Sequence, residues 1–243
     1  MRVLVFIPVW NQIDDFPKVI EDLKANSSHF EQVLIVNNGS TDGSENVARA
    51  SGYPVIDLPK NMGVGYANIE ALKWALEHRF DVLVTMAANG KMLPSELPRL
   101  LAPIQAGEAD YVTGSRYLKG GASPNLPLFR RIAIPLVNVL IFCMYGRWLT
   151  DFSCGFRAYK LSNLNSATYD WKASWLYGYS MEYYLYAKML LGGFRCIEVP
   201  ITMRYPPRGR SYSKIPPGVG WYQMVRPWFV ARFEGVCGLL GSR

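Results

Sequence analysis

The sequence predicts an α/β domain with a mainly parallel central sheet and flanking helices, on three observations. Short, continuous apolar runs such as Val3–Ile7 recur in the first half, as expected of strands buried on both faces. Between them lie stretches of helical period, beginning with Phe16, Val19, Ile20 and Leu23. Polar, turn-rich segments follow the carboxyl ends of the apolar runs. Helix-length spacers between strands imply βαβ units with right-handed crossovers.

Val3–Ile7 is the first strand. The helix after it has Asp14 and Asp15 in front and Pro17 in its first turn, where a missing N–H costs nothing. Gln32–Val36 is the second strand, and NNGSTDGS leads from it into a short helix. Val55–Leu58 is the third strand, and residues 67–78 form a helix with Ala71, Leu72, Ala75 and Leu76 inward. Asp81–Met86 is the fourth strand and Tyr111–Thr113 a later one. The second half is less regular. Leu126–Tyr145 and Met181–Leu191 read as helices, Cys196–Met203 as a strand, and residues 206–217, rich in Pro, Gly, Ser and basic side chains, as a loop.

With 243 residues the chain can bury a full core, roughly 70–75% of its unfolded surface. Half of it is hydrophobic, which argues against disorder. A net charge of +7 points to an anionic partner. Cys143, Cys154, Cys196 and Cys237 form no CxxC pair and have two histidines for company, so they read as reduced thiols rather than zinc ligands. The first residues read as a strand, not as a signal peptide, and no uninterrupted 18-residue apolar run marks a membrane span. Residues 132–145 and 219–240 are apolar or aromatic enough to lie on a membrane surface, or to be core helices.

Ligands of open α/β sheets bind beyond the carboxyl ends of the strands. The segments there are PVWNQ, NNGSTD, KNMGVG and AANGK. The first strand lacks the GxGxxG of a dinucleotide site, and GxxxxGK[ST] is absent. Eight segments, IPVWNQ, IVNNGSTDGS, KNMGVGYAN, VTMAANGKMLPSEL, TGSRYLKGG, DFSCGFRAYK, IEVPIT and RGRSYSK, occur in an order that resembles family 2 glycosyltransferases of the dolichyl- and polyprenyl-phosphate sugar synthase type. The resemblance runs from Val3 to about Lys214. It implies a GT-A fold over residues 1–214, with 215–243 as an aromatic and basic C-terminal extension.

The resemblance also implies site residues. Pro8, Trp10, Asn11 and Gln12 form one wall of the nucleoside site, together with Asn38, Ala88 and Asn89. Asn38 replaces a customary aspartate facing the base. An amide both donates and accepts where a carboxylate only accepts, so the base is left open. The metal-binding DADGQ of the family is here Ala87, Ala88, Asn89, Gly90 and Lys91. The family implies Mg²⁺ or Mn²⁺, but hard cations need carboxylates, so no metal cofactor is expected. Lys91 is expected to supply the missing positive charge. Arg116 matches an arginine at the phosphates. Arg130, Arg131 and Asn138 match the acceptor-phosphate region, where guanidinium forks suit phosphate oxygens. Asp151 is either an orienting group or a general base, and Arg157 either its partner or a phosphate ligand. Arg208, Ser213 and Lys214 match a loop that closes on the diphosphate and excludes water.

The function implied is inverting transfer of a sugar from a nucleotide-diphosphate sugar to a polyprenyl phosphate, at the cytoplasmic face of a membrane. Transfer to a saccharide or glycolipid hydroxyl, or non-catalytic sugar-nucleotide binding, are the alternatives. Nucleic acid is disfavoured, because the basic residues fall at phosphate positions instead of spreading along one face.

Overall fold

The structure is a computed structural model that describes residues 1–164, 171–206, 215 and 218–240, the last six of these by backbone alone. The strands are β1 (Val3–Val9), β2 (Gln32–Asn37), β3 (Val55–Asp57), β4 (Val82–Thr85), β5 (Tyr111–Ser115), β6 (Arg157–Lys160) and β7 (Cys196–Pro200). The helices are α1 (Phe16–Ala25), α2 (Ser44–Ala50), α3 (Val64–Glu77), α4 (Leu97–Gln105), α5 (Leu128–Tyr145), α6 (Ser180–Leu191) and α7 (Val219–Leu240).

One seven-stranded sheet runs in the order β3-β2-β1-β4-β6-β5-β7. All neighbours are parallel except β6, which is antiparallel to both β4 and β5. The expected mainly parallel sheet is present. Strand β6 lies inside the DFSCGFRAYK segment, whose Gly- and Ser-containing start concealed a strand from periodicity.

The continuous apolar runs follow from burial on both faces. Val3, Val5 and Ile7 of β1 enter one core with Phe16, Val19 and Leu23 of α1 and Leu97, Leu100 and Leu101 of α4. Leu4 and Phe6 enter the other, with Ala67, Ala71 and Leu72 of α3, Tyr186 of α6 and Trp228 of α7. Leu76, expected inward, is exposed near the carboxyl end of α3, directly after Ala75, the last buried residue of the helix. Cys143, Cys154 and Cys196 are free thiols. Burial pushes those of Cys154 and Cys196 up to about 12, which keeps them protonated and inert.

The strand order reverses between β1 and β4, so their carboxyl ends diverge and open a crevice. Helix α5 borders the same end of the molecule. Only Ile134, Asn138 and Ile141 of its 18 residues are buried. Its mean hydropathy of 1.6 makes it the one described helix long and apolar enough to cross a membrane by length and composition, with 17% of that stretch buried. Such a helix is weak evidence by itself for a span.

Candidate active site

A cavity of about 900 Å³ fills the crevice between β1 and β4. Pro8, Trp10 and Gln12 line it from the end of β1, and Asn38 from the end of β2. Ala87, Ala88, Asn89 and Lys91 line it from the end of β4, Arg116 from the end of β5 and Arg130 from the start of α5. Residues from five separate chain segments thus converge on one cavity.

The motif loops are stitched to each other, which is why they occur together. Asn11 takes a positive φ of 50°, and its Oδ1 accepts the Thr41 N–H at 2.9 Å. The Asn11 and Gln12 N–H groups donate to Ser40 Oγ at 3.1 Å and Ser44 Oγ at 2.8 Å. The Ile13 N–H donates to Asp42 at 3.0 Å. Asn11 therefore shapes the wall without lining the cavity.

Arg116 is 4% exposed and organises the opposite side. Its Nε and Nη2 each donate to the Asp151 carboxylate at 2.6 Å, and Nη2 also reaches Ser153 Oγ at 2.6 Å. Its Nη1 donates to Tyr205 Oη. Burial alone would lower the guanidinium pKa, yet the charge and hydrogen bonds of Asp151 carry it well above its ordinary value.

Asp151 is itself fully buried and is not part of the cavity lining. Glu198 of β7 holds its backbone N–H at 2.8 Å and the Thr150 N–H at 2.7 Å. Asn138 holds the same segment from α5, through Thr150 O at 2.8 Å and the Phe152 N–H at 3.2 Å. Asn138 is thus spent on the chain, 2% exposed, while Arg131 lies on the exposed surface outside the cavity. Arg157 neither pairs with Asp151 nor enters the cavity: its guanidinium binds the carbonyls of Cys154, Glu182 and Phe152. Arg208, Ser213 and Lys214 lie outside the described residues.

Lys91 is 8% exposed, and its Nζ lies 5.6 Å from the centre of the Tyr205 ring. Burial pulls its pKa down to about 8, helped by the positive charges of Arg130 and Arg116 and opposed by Asp15. Its backbone is pinned by its own N–H to Asn89 Oδ1 at 3.3 Å and by the Arg204 N–H to its carbonyl at 3.0 Å.

A divalent cation does not fit at this turn. Ala87 and Ala88 carry no side-chain ligand atom, Asn89 Oδ1 is neutral and already accepts an N–H, and the Lys91 ammonium would repel the ion. Among the described residues no three His, Cys, Asp or Glu side chains gather to hold a metal.

Glu182, Tyr205 and Asn61 are among the cavity residues that the sequence did not mark. Glu182 of α6 faces the cavity, and burial raises its pKa. Nothing in the helical period of α6 distinguishes it. Tyr205 had no motif to mark it. Asn61 sits in KNMGVG, the segment that follows β3.

The model of glycosyl transferase family 2 matches residues 4–166. Undecaprenyl-phosphate mannosyltransferase of Micrococcus luteus is 34% identical over 249 residues, covering 99% of this chain and 100% of that protein. Polyprenol monophosphomannose synthase of Mycolicibacterium smegmatis is 32% identical, over 83% of this chain and 77% of that one. Among solved structures, glucosyl-3-phosphoglycerate synthase of Mycobacterium tuberculosis, in complex with Mn²⁺, uridine diphosphate and phosphoglyceric acid, superposes with a TM-score of 0.68. It is 19% identical and covers 95% of this chain and 78% of its own, a likeness of fold.

Proposed function

The chain belongs to glycosyl transferase family 2, and on that premise we propose that it transfers a sugar from a nucleotide-diphosphate donor to a polyprenyl phosphate. The observation that carries this reading is the gathering of Lys91, Arg116 and Arg130 in one cavity, with Arg130 opening an exposed apolar helix. Anionic phosphates suit the first feature and a lipid tail the second. Relatives that span 99% and 83% of the chain act, by their names, on undecaprenyl or polyprenol phosphates.

In the proposed reaction the donor nucleoside lies against Pro8, Trp10, Gln12, Asn38, Ala88 and Asn89, on a wall shaped by Asn11. Lys91 faces the diphosphate. The acceptor phosphate lies near Arg130, with Arg131 at the membrane side and Asn138 positioning the loop beneath. Its oxygen attacks the anomeric carbon from the face opposite the diphosphate. The bond from that carbon to the diphosphate oxygen breaks, the new bond forms with inversion, and the electron pair leaves with the nucleoside diphosphate. A phosphate acceptor is already anionic near neutral pH, so no general base is needed. Asp151, buried under Arg116, acts as a positioning residue that holds the guanidinium in place. Arg208, Ser213 and Lys214 close on the diphosphate in this scheme, by resemblance alone. Residues 1–214 carry the transferase site, and 215–243 add the C-terminal helix that docks on a membrane surface. Mg²⁺ and Mn²⁺ have no step in it, because the residues at the turn after β4 do not fit them.

Radiolabelled product analysis tests the proposal, with a panel of nucleotide sugars, a short polyprenyl phosphate and a disaccharide acceptor, with and without EDTA. Sugar should appear on the polyprenyl phosphate in both conditions. Transfer to the disaccharide alone would move the acceptor to a hydroxyl. Nucleotide binding with no transfer to either would make the chain a binding protein.

A further inference from the structure

A metal ion is placed by its ligands, but a lysine is a point charge on a flexible stem and must be placed by its surroundings. Beside Lys91 those surroundings include Tyr205, which is 5% exposed and lines the cavity. The backbone of Tyr205 is fixed from two sides. On one, the Arg204 N–H donates to Lys91 O at 3.0 Å, and Met203 forms an antiparallel bridge with Met92. On the other, the Tyr205 N–H donates to Pro124 O at 3.2 Å, and Asn125 Nδ2 donates to Tyr205 O at 3.1 Å. Residues 124 and 125 lead into α5, which carries Arg130. Tyr205 is thus tied both to the turn of Lys91 and to the start of α5.

Its side chain meets two of the cavity's cations with two different groups. Lys91 Nζ lies over the ring at 5.6 Å from its centre, within the reach at which the negative ring face attracts an ammonium. The hydroxyl oxygen accepts from Arg116 Nη1. Burial raises the phenol's pKa against the pull of Arg116 and Arg130, so the hydroxyl keeps its proton near neutral pH and accepts as a neutral group. Most of the Arg116 guanidinium is already committed, with Nε on Asp151 and Nη2 on Asp151 and Ser153. Among the described residues one Nη1 N–H is left for a phosphate oxygen. The planar fork fixes the direction of that N–H once its twin is held by Tyr205.

Resting on the transfer reading above, we propose that Tyr205 is a positioning residue, whose ring places the Lys91 ammonium and whose hydroxyl places the Arg116 guanidinium for the departing diphosphate. The two charges repel each other, and a phenol attracts both, one on its face and one on its oxygen. Phenylalanine would keep the first attraction and leave an Arg116 donor without its acceptor. Charge develops on the diphosphate as its bond to the anomeric carbon breaks. Cations already in place stabilise that charge without rearranging at the moment of transfer.

A transfer assay and a labelling experiment test the two contacts separately. Tyr205→Phe should lower kcat about 10-fold, with a smaller change in the donor KM, because the bond to Arg116 counts most once the diphosphate charge has developed. A melting curve shows that the variant folds. The ring contact is read without substrate. Tyr205→pentafluorophenylalanine, made by nonsense suppression, has nearly the shape of Tyr205→Phe, but its fluorines draw electron density from the ring face. The pH dependence of Lys91 acetylation by acetic anhydride, followed by mass spectrometry, reports where the ammonium loses its proton. Arg130, Arg116 and Asp15 act on Lys91 alike in both variants. The fluorinated ring should therefore shift the titration down by about 0.5–1 pH unit relative to Tyr205→Phe. Equal titrations would detach Lys91 from Tyr205, and an unchanged kcat in Tyr205→Phe would detach Arg116. Either result overturns the proposal and leaves the transfer reading standing. A wild type that moves no sugar to any acceptor overturns the transfer reading, and this role with it.

Discussion

An ammonium that is buried and feels the charge of two guanidinium groups is held at a cost that a bound diphosphate would offset. Lys91 is such a group, with its pKa pulled down to about 8 by burial and by Arg130 and Arg116. The unfolded chain keeps that proton to about pH 10.4, so between about 8 and 10 the unfolded state binds more protons and stability rises with pH. Ligand binding has the opposite sign. A diphosphate favours the charged form, so its binding takes up a proton in that window and its affinity falls as pH rises through about 8. Calorimetry at pH 8.5 in buffers of different ionisation enthalpy should register the uptake, and Lys91→Met should abolish it. If Lys91 stabilises the leaving group, Lys91→Ala should slow transfer by a factor on the order of 10²–10³, with EDTA without effect on either protein. A Mn²⁺ requirement combined with a silent Lys91→Ala would remove Lys91 from this role. Asp151 has a different signature. It is fully buried against Arg116. Asp151→Asn should leave an uncompensated charge and destabilise the fold by about 3–5 kcal/mol in urea titrations. A general base would behave otherwise: the variant would keep its urea midpoint and lose turnover with a hydroxyl acceptor.

The helices and strands show why motifs keep company over long separations. The KNMGVG segment carries two glycines that serve packing. The Gly65 N–H donates to Gly178 O at 2.8 Å, and the Tyr66 N–H donates to Tyr177 O at 3.2 Å. A Cβ on Gly65 would fall 1.9 Å from Leu176 O, and one on Gly63 would fall 2.1 Å from Tyr177 O. Gly65→Ala should therefore cost on the order of 1–3 kcal/mol in thermal or urea unfolding. Because Asn61, Gly63 and Tyr179 line the cavity, it should also weaken nucleotide binding; unchanged binding would mean that the loop repacks locally. Strands β1, β2 and β4 were legible because burial on both faces leaves an unbroken apolar run. Strand β6 was not, since four residues beginning with a buried arginine carry no period, and its place between β4 and β5 is set by long-range pairing. Pro8, Trp10, Gln12, Asn38 and Lys91 follow strand ends, and the family resemblance marked them together with Arg116 and Arg130; all seven line the cavity. The burial of Asp151 was not legible, because it depends on Glu198 and Asn138, 47 and 13 positions away in the chain. No local pattern in the sequence records such a partnership.

At the scale of the whole molecule, apolar surface and positive charge share one side. Helix α5 exposes Leu128, Phe129, Ile132, Leu136 and Phe142, with Trp148 just beyond its end, at exposures of 44–69%. Phe129 meets Trp221 edge to face at 5.1 Å between ring centres, which joins this surface to the exposed Tyr222, Phe229 and Phe233 of α7. A soluble monomer seldom leaves so many large apolar side chains together in water. Helix α7 is held to the body through Met224, Trp228 and Ala231, so the exposed face belongs to a fixed element rather than a loose tail. Arg130 and Arg131 stand at the start of the patch, and the chain as a whole carries +7. An amphipathic, cationic surface of this kind binds anionic bilayers in their interfacial layer, with an electrostatic part that salt screens. It also opens beside the cavity, so a lipid phosphate could reach Arg130 while its tail stays among acyl chains. Vesicles of phosphatidylglycerol and phosphatidylcholine should therefore sediment the protein at low salt, and less of it at 0.5 M salt. Phe129→Ser with Phe142→Ser should reduce the bound fraction several-fold, leaving nucleotide affinity unchanged because neither side chain lines the cavity. Equal recovery in the supernatant with and without vesicles at low salt would remove the membrane from the proposed reaction. The acceptor phosphate would then have to be delivered from solution.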